Sequence, residues 1–447
     1  MMSPFPTQED IGNIVRSIAD ALGVVDISES NVWLLSMLAG IIATIFLAGA
    51  MQECFFLPLR RKFNADRLKQ KASWTCPNTG VITVPDKRVT AIVFINSKSG
   101  GQLGGDEMMQ LFKKYLHGTQ VFDLANTNPR EALEPYKHNH VSRVRILCCG
   151  GDGTVGWILG VCRDLNAHFP VGVFPLGTGN DLARSINWGS GMNCVRPYDV
   201  ERYLSALKGS HVLKYDQWRV EVHGPKSLSG ESLDKVEAAA ALEVSNPSFA
   251  SQQIKVFTMN NYFSMGVDGD IALNFHNERI RHPERFTSQR MNVIKYAVMG
   301  FEGAFEGVPL GSGLRVEASR GPGEAAKDLP INPLWKGIIV GNVPYYQGGK
   351  TFSDPDRAAR KKLSLTECSL SDQRLEIMAV SGTLHIGMVH LQVDKAIPLS
   401  QSNSLTLNIH DDIAMQVDGE PWRQRGPSKV VITHLGAYPM LRPRRSL

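Results

Sequence analysis

The sequence predicts an α/β nucleotide-binding lobe on a mostly parallel sheet, then a β-rich, antiparallel, sandwich-like lobe, with a single N-terminal transmembrane helix ahead of both. Three observations lead there. Strand, loop and helix patterns alternate four times within about 100 residues from Val89 onward. After about residue 212 strand-like runs dominate instead. Residues 32–51, VWLLSMLAGIIATIFLAGAM, form 20 residues without a charge.

The N-terminal elements come first. A helix over residues 32–51 spans ~30 Å at ~1.5 Å per residue, the thickness of a bilayer core. A buried core helix of that length normally carries polar residues on one side, and this run offers Ser36 and Thr44. A cleaved signal peptide ending near Ala48-Gly49-Ala50 calls for a short basic leader. Residues 1–31 instead carry Glu9, Asp10, Asp20, Asp26 and Glu29 against Arg16. The membrane helix is therefore preferred, with 1–31 as a short non-cytosolic segment. Arg60, Arg61, Lys62, Arg67, Lys69 and Lys71 follow it in a basic juxtamembrane linker, 52–88. The positive-inside tendency puts that side in the cytosol, so the expectation is a single-pass membrane protein with a cytosolic catalytic domain.

Residues 89–211 read as the α/β domain. VTAIVFIN (89–96) is a continuous apolar run, the pattern of a buried parallel strand. SKSGGQLGG (97–105) is a glycine-rich turn, and DEMMQLFKKYLHG (106–118) has helical apolar spacing and a closing glycine. TQVFDLA is a second strand, and NPREALEPYKH is helical in part, interrupted by Pro135. VRILCCGGDGT is a third strand and loop, leading into the helix VGWILGVCRDLNAHF. PVGVFPLGTGNDLARSI closes the series as strand, loop and helix start. The three glycine-rich loops then lie beyond the carboxyl ends of parallel strands, where ligands bind in such sheets.

Residues 212–440 read as the β-rich domain, with strands in DQWRVEVH, QIKVFTMNNYFSMGV, GLRVEAS, KGIIVGNV, RLEIMAVSG, SLTLNIH, IAMQVDG and KVVITHL. A mobile insertion is expected over 224–252, a helix over roughly 269–305, and a disordered basic tail over 441–447. The formal charge of +5 over 447 residues is mild and does not argue for a nucleic-acid partner. Seven cysteines occur without a C-x-x-C pair, so zinc modules are not expected. Their scatter fits a reducing compartment, with Cys148 and Cys149 as small core hydrophobes.

The chemistry sits in the loops. Gly151-x-Gly153-x-x-Gly156 has the spacing of a dinucleotide turn, but it follows the third strand, and the next strand ends in GVFPLG without the acid that would bind a ribose. A G-x-x-x-x-G-K-[ST] loop and protein-kinase signatures are absent. A phosphate cradle fits better. Gly150, Gly151 and Gly153 let backbone N–H groups converge on an anion just before a helix N-terminus. Asp152 in that loop would hydrogen-bond the loop, a ribose hydroxyl or a metal-bound water. Thr154 suits either a helix cap or a ligand contact. Asn180 and Asp181 in the second loop cap a helix or join the site.

NSKSGG, GGDGTVGW and PLGTGNDLARS resemble the catalytic domain of the eukaryotic diacylglycerol kinases. NNYFSMGVDGDIALNFHNERIRHPERF, GNVPYYQGGKTF, RLEIMAVSG and MQVDGEPW resemble that family's accessory domain. The resemblance covers about 89–440. Asp268-Gly269 replaces the family's usual Asp-Ala. The resemblance implies ATP-dependent phosphorylation of 1,2-diacylglycerol to phosphatidic acid, with ATP and Mg²⁺ as cofactors and membrane lipids as surroundings. It assigns Asn96, Ser97, Ser99, Gly100, Gly150, Gly151, Gly153, Thr154 and Thr178 to the nucleotide. Asp268 and Asp181 are metal candidates, because hard cations prefer carboxylate oxygens. Glu420 is the expected base, with Asp418 and Asp152 as further catalytic acids. His276, Arg279, Arg281 and Arg285 suit either an anion or a solvated helix face, and Lys350 is left open. A sphingoid or ceramide kinase and a catalytically silent lipid-binding scaffold are the alternatives.

Overall fold

The computed structural model describes residues 81–84, 87–97, 105–138, 143–192, 195–225, 252–282, 309–311, 313–352, 357–390 and 394–447. The chain divides into two compact units, Met1–Thr75 and Cys76–Leu447, and every described residue belongs to the second.

The first lobe runs β1 (Val81–Val84), β2 (Lys87–Ile95), α1 (Gly105–Lys113), β3 (Val121–Asp123), α2 (Pro129–Leu133), β4 (Val144–Gly150), α3 (Asp152–Asp164), β5 (Val171–Pro175), α4 (Asp181–Ser185) and α5 (Pro197–Gly209). β3, β2, β4 and β5 pair in parallel, and β1 adds an antiparallel strand to β2. Ala91–Ile95, Ile146–Cys149 and Val171–Phe174 are buried throughout, as an apolar run covered on both faces requires. Cys148 and Cys149 are part of that core.

The second lobe adds β6 (His211–Pro225), β7 (Gln252–Met259), β8 (Tyr262–Gly266), α6 (Val267–Arg281), β9 (Leu314–Ser319), β10 (Lys327–Asp328), β11 (Gly337–Gly341), β12 (Tyr345–Tyr346), β13 (Lys350–Thr351), α7 (Arg357–Leu363), β14 (Leu375–Val380), α8 (Thr383–His390), β15 (Ile397–Ser402), β16 (Ser404–Ile409), β17 (Ile413–Val417), β18 (Glu420–Gln424) and β19 (Ser428–Arg442). A six-stranded antiparallel sheet has the order β15-β14-β11-β8-β17-β18. One of its faces packs on β6, β9, β16 and β19. Alternate residues from both layers meet there, among them Trp218, Val220, Leu405, Leu407, Val430, Phe263, Met265, Ile338 and Ile377. Its other face carries Ile339, Met378 and Val380, packed with Val267 and Ile271 of α6 and Ile386 of α8. The sandwich-like expectation for this lobe agrees with that arrangement.

β19 joins the lobes. It pairs with β6 along nearly its whole length, with β16 through Ser428–Thr433, and in parallel with β5 at Met440. One 11-stranded sheet therefore runs through both lobes. The tail expected to be disordered instead returns to the first lobe. The Trp188 indole N–H donates to Leu441 O at 2.5 Å, and Leu447 N–H donates to Asn187 O at 3.1 Å.

One expectation is corrected. Among the described residues no helix is long and apolar enough to cross a membrane. The longest described helix, α6, has 15 residues. At ~1.5 Å per residue that is about 22 Å, short of a ~30 Å hydrocarbon core. The transmembrane part of the predicted fold class, and the single-pass localisation built on it, are therefore not supported. Residues 32–51, on which that expectation rested, lie outside the described residues, as do 1–31, 52–80 and 226–251 of the insertion.

Candidate active site

The two glycine loops meet at the carboxyl ends of β4 and β5. A Cβ on Gly177 would stand 2.5 Å from Gly151 Cα, so the second loop packs backbone against backbone on the first. A Cβ on Gly150 would lie 2.6 Å from the Thr154 side chain. Thr154 is buried and its hydroxyl accepts from Asn96 Nδ2 at 2.9 Å, which ties the end of β2 to the loop after β4. Gly151 is the N-cap of α3 and, having no side chain, offers no cap to the first N–H groups of that helix. Among the described residues outside its own helix turn, nothing lies within 4 Å of a Cβ placed on Gly153. Ser97 approaches Gly105 at the start of α1. Thr178 is exposed at the second loop, and Ser99 and Gly100 lie outside the described residues.

Four acids from distant parts of the chain are built into this region, each differently. Asp152 opens α3. Its Oδ2 accepts from Asp181 N–H at 2.8 Å, while its buried Oδ1 has no hydrogen-bond partner among the described residues. Burial, then the Asp181 carboxylate and more weakly that of Asp418, push its pKa up to about 7. Asp181 is fully buried. It accepts from Gly349 N–H at 2.6 Å and from Gly348 N–H at 3.1 and 3.2 Å, so it latches α4 to the loop between β12 and β13. Burial raises its pKa, opposed by those amides and by Arg184.

Asp418 and Gly419 both have positive φ, +49° and +90°, as a two-residue type I′ hairpin turn requires, and Val417 and Glu420 close the hairpin. The Asp418 carboxylate accepts from the N–H groups of Asn260 (2.7 Å), Asn261 (2.7 Å) and Tyr262 (3.0 Å). It pins the corner where the chain leaves one sheet at β7 and enters the other at β8. Burial raises its pKa against those three donors.

Asp268 is buried in the first turn of α6. Ser264, Gln416 and Gln347 donate to it, the last two at 2.6 and 2.9 Å. Its oxygens are thus spent on neutral donors, and burial raises its pKa. Gly269 beside it faces Ala414 O, which a Cβ would approach to 2.4 Å. The glycine that departs from the family pattern therefore lets α6 sit directly on β17.

Glu420 is exposed at the start of β18. Desolvation raises its pKa, opposed by Arg279 of α6. Burial and Arg279 lower the pKa of His276. Arg279 and Arg281 are exposed, Arg285 lies outside the described residues, and Lys350 is exposed on β13.

The structure thus brings Asp152, Asp181 and the glycine loops together, with Asp418 close enough to act on Asp152 electrostatically. Asp268 stands apart in its own cage. Among the described residues no group of three or more His, Cys, Asp and Glu has metal-binding geometry. Asp152 Oδ1 is the oxygen there left to accept a cation or a proton, while the Asp181 oxygens already accept from Gly348 and Gly349. Sequence reasoning missed the residues that place these acids. They are Asn260 and Asn261 for Asp418, Gly348 and Gly349 for Asp181, and Arg184, which donates to Gly179 O at 3.3 Å. The doubled asparagine and doubled glycine were the available signals.

Residues 90–206 match the diacylglycerol kinase catalytic domain, and residues 258–421 match the diacylglycerol kinase accessory domain. The chain is 32% identical over 366 residues to diacylglycerol kinase 1 of Arabidopsis thaliana, and 31% identical over 360 residues to diacylglycerol kinase theta of Homo sapiens. Those alignments cover 80% and 79% of this chain, but 45% and 35% of the relatives, so the chain spans less than half of either. Against diacylglycerol kinase 5 of Arabidopsis thaliana it is 31% identical over 405 residues, covering 80% of this chain and 78% of that protein. With both domains matched in order and that relative covered over most of its length, the chain belongs to the diacylglycerol kinase family.

Proposed function

We propose that this chain transfers the γ-phosphoryl group of ATP to the free hydroxyl of 1,2-diacylglycerol, giving phosphatidic acid and ADP. The observation that carries the reading is the pairing of a helix N-terminus capped by glycine, at Gly151–Thr154, with the buried Asp152 Oδ1, which has no hydrogen-bond partner among the described residues. The first accepts an anion, and the second calls for a cation or a proton. Phosphoryl transfer needs both side by side, because its catalysis is chiefly positioning and charge neutralisation.

In this reading the N–H groups of Gly151, Gly153 and Thr154 hold the phosphates. Asn96 and Ser97 border them, with Ser99 and Gly100 assigned alongside from the family pattern, and Thr178 reaches the nucleotide from the second loop. Mg²⁺, held by Asp152 with Asp181, supplies charge neutralisation on the phosphates when bound. Asp268 braces α6 against β17 rather than offering a free oxygen. Glu420 takes the hydroxyl proton as the new O–P bond forms and the bond to the β-phosphate oxygen breaks. Its exposure leaves it reachable, and desolvation, which raises its pKa, makes it a stronger base than an ordinary carboxylate. Asp418 holds the turn that presents it.

The test is transfer of label from γ-labelled ATP to diacylglycerol in mixed micelles, with ceramide and sphingosine in parallel. Labelled phosphatidic acid is expected. Label in ceramide or sphingosine alone would move the substrate assignment, and no product above a heat-inactivated control sinks the enzyme reading. Gly151→Asp, which sets a carboxylate against the phosphates, is expected to abolish transfer while the fold survives.

A further inference from the structure

The β-rich lobe carries a second polar cavity, of about 400 Å³, outside the site above. That lies in the range of roughly 300–1,000 Å³ typical of small-ligand pockets. Arg320 and Lys327 reach it from the β9–β10 hairpin, Arg374 from the start of β14, Ser364 from the turn after α7, and Gln401 forms part of its lining from β15. Glu324 is the single carboxylate among its lining residues, against three cations.

Those cations are underused by the fold. Arg320 donates one N–H to Leu363 O at 2.9 Å, at the carboxyl end of α7. A guanidinium has five N–H donors, so most of its capacity is left over. Lys327 forms no ion pair among the described residues. The Arg374 side chain makes no hydrogen bond among them and feels Asp372 electrostatically. Arg360, Lys361 and Lys362 in the last turn of α7 add positive charge next to the Ser364 turn. Gln401, by contrast, is locked. Its Oε1 accepts from Thr366 N–H and Oγ1, and its Nε2 donates to Thr366 O and Glu376. The cavity therefore has a rigid floor, and its three cations outweigh the one carboxylate of Glu324, so its net charge favours an anion. Guanidinium forks match tetrahedral oxyanions, and a hydroxyl adds a neutral donor.

We infer that this cavity is a binding site for a phosphomonoester anion, with Arg320, Lys327 and Arg374 as its charged contacts. The ligand is inorganic phosphate or the phosphate of a phosphorylated lipid headgroup, which share this chemistry. A ladder of paired residues joins the cavity to the active-site turn: Gln401 pairs with Glu376, Glu376 with Gly341, Gly341 with Tyr262, and Tyr262 bonds Asp418. Four strand spacings of ~4.8 Å put the two about 19 Å apart, so occupation of one leaves the other open.

The full chain and its Lys327→Glu/Arg374→Glu variant are titrated by calorimetry with inorganic phosphate, dioctanoyl phosphatidate and, as the uncharged control, dioctanoylglycerol. Circular dichroism checks that the substitutions, at exposed Lys327 and half-buried Arg374, leave the fold intact. Affinity for at least one phosphomonoester is expected to fall tenfold or more in the variant, while affinity for a non-hydrolysable ATP analogue is unchanged. A response to phosphatidate alone assigns the source to a lipid headgroup, and a response to both phosphomonoesters assigns it to the shared phosphate. Unchanged affinity in the variant, or no phosphomonoester binding to the parent chain, overturns the inference. Because binding is read directly, the result is independent of whether the chain turns over diacylglycerol.

Discussion

Asp152 and Asp418 interact electrostatically, yet the fold asks opposite things of them. Asp152 has an oxygen without a partner and a pKa pushed up to about 7, chiefly by burial. A carboxyl whose folded pKa is raised favours the protonated form on folding. Its contribution to stability is present below the ordinary carboxylate range and is lost as pH rises through about 7. Asp152→Asn is therefore expected to raise the melting temperature of the ligand-free protein at pH 8, to have little effect below pH 4, and to abolish transfer. Calorimetry across that range checks it, and a variant less stable at pH 8 would show that the fold needs the charge. In the proposed site a cation and a proton would compete for that oxygen, so Mg²⁺ affinity is expected to weaken as pH falls. Asp418 is saturated by three backbone N–H groups. Asp418→Asn leaves at least one of them facing an amide, at an expected cost of about 2 kcal/mol in urea unfolding. Glu420→Gln, at an exposed position, is expected to lower kcat with no change in the unfolding midpoint.

The glycine loops separate packing from ligand space at the scale of the element. Gly177 is needed because the first loop's backbone lies where its side chain would go. Gly177→Ala is expected to cost about 1–3 kcal/mol and to weaken nucleotide binding, because the two loops must part. A side chain at Gly153 would meet nothing among the described residues outside its own helix turn, and Gly153 lies in the first turn of α3. Gly153→Ala is expected to gain up to ~1 kcal/mol from helix propensity, yet to raise the KM for ATP, because the methyl enters the phosphate space. Paired thermal melts and kinetics distinguish these outcomes. A Gly153→Ala enzyme with an unchanged KM would place the nucleotide elsewhere.

At the scale of the whole molecule, the C-terminal strand decides cohesion. β19 bonds β5 of the first lobe, and β6 and β16 of the second. The two lobes are therefore expected to unfold in one transition, with tryptophan fluorescence and circular dichroism giving coincident curves. Truncation after Leu435 removes the pairing with β5 and the stretch that binds Leu441 to Trp188, and it is expected to abolish cooperative unfolding. A truncated chain with an unchanged midpoint would show that the lobes stand alone.

The sequence by itself determined the local grammar. Apolar runs marked β2, β4 and β5, and glycines marked the loops after β4 and β5, because strand burial and tight turns are short-range demands. It also carried the family, through motifs spread over both lobes. Its expectation of a spanning helix at 32–51 falls outside the described residues, among which no helix is long and apolar enough to cross a membrane. It misled at the tail, where basic composition hid a docked end. Only the tertiary structure decided what each acid does. A carboxylate's role depends on the donors that reach it. Those of Asp181 come from Gly348 and Gly349, and those of Asp418 from Asn260, Asn261 and Tyr262. They lie more than 150 residues away in the chain, and only the folded sheets bring them near.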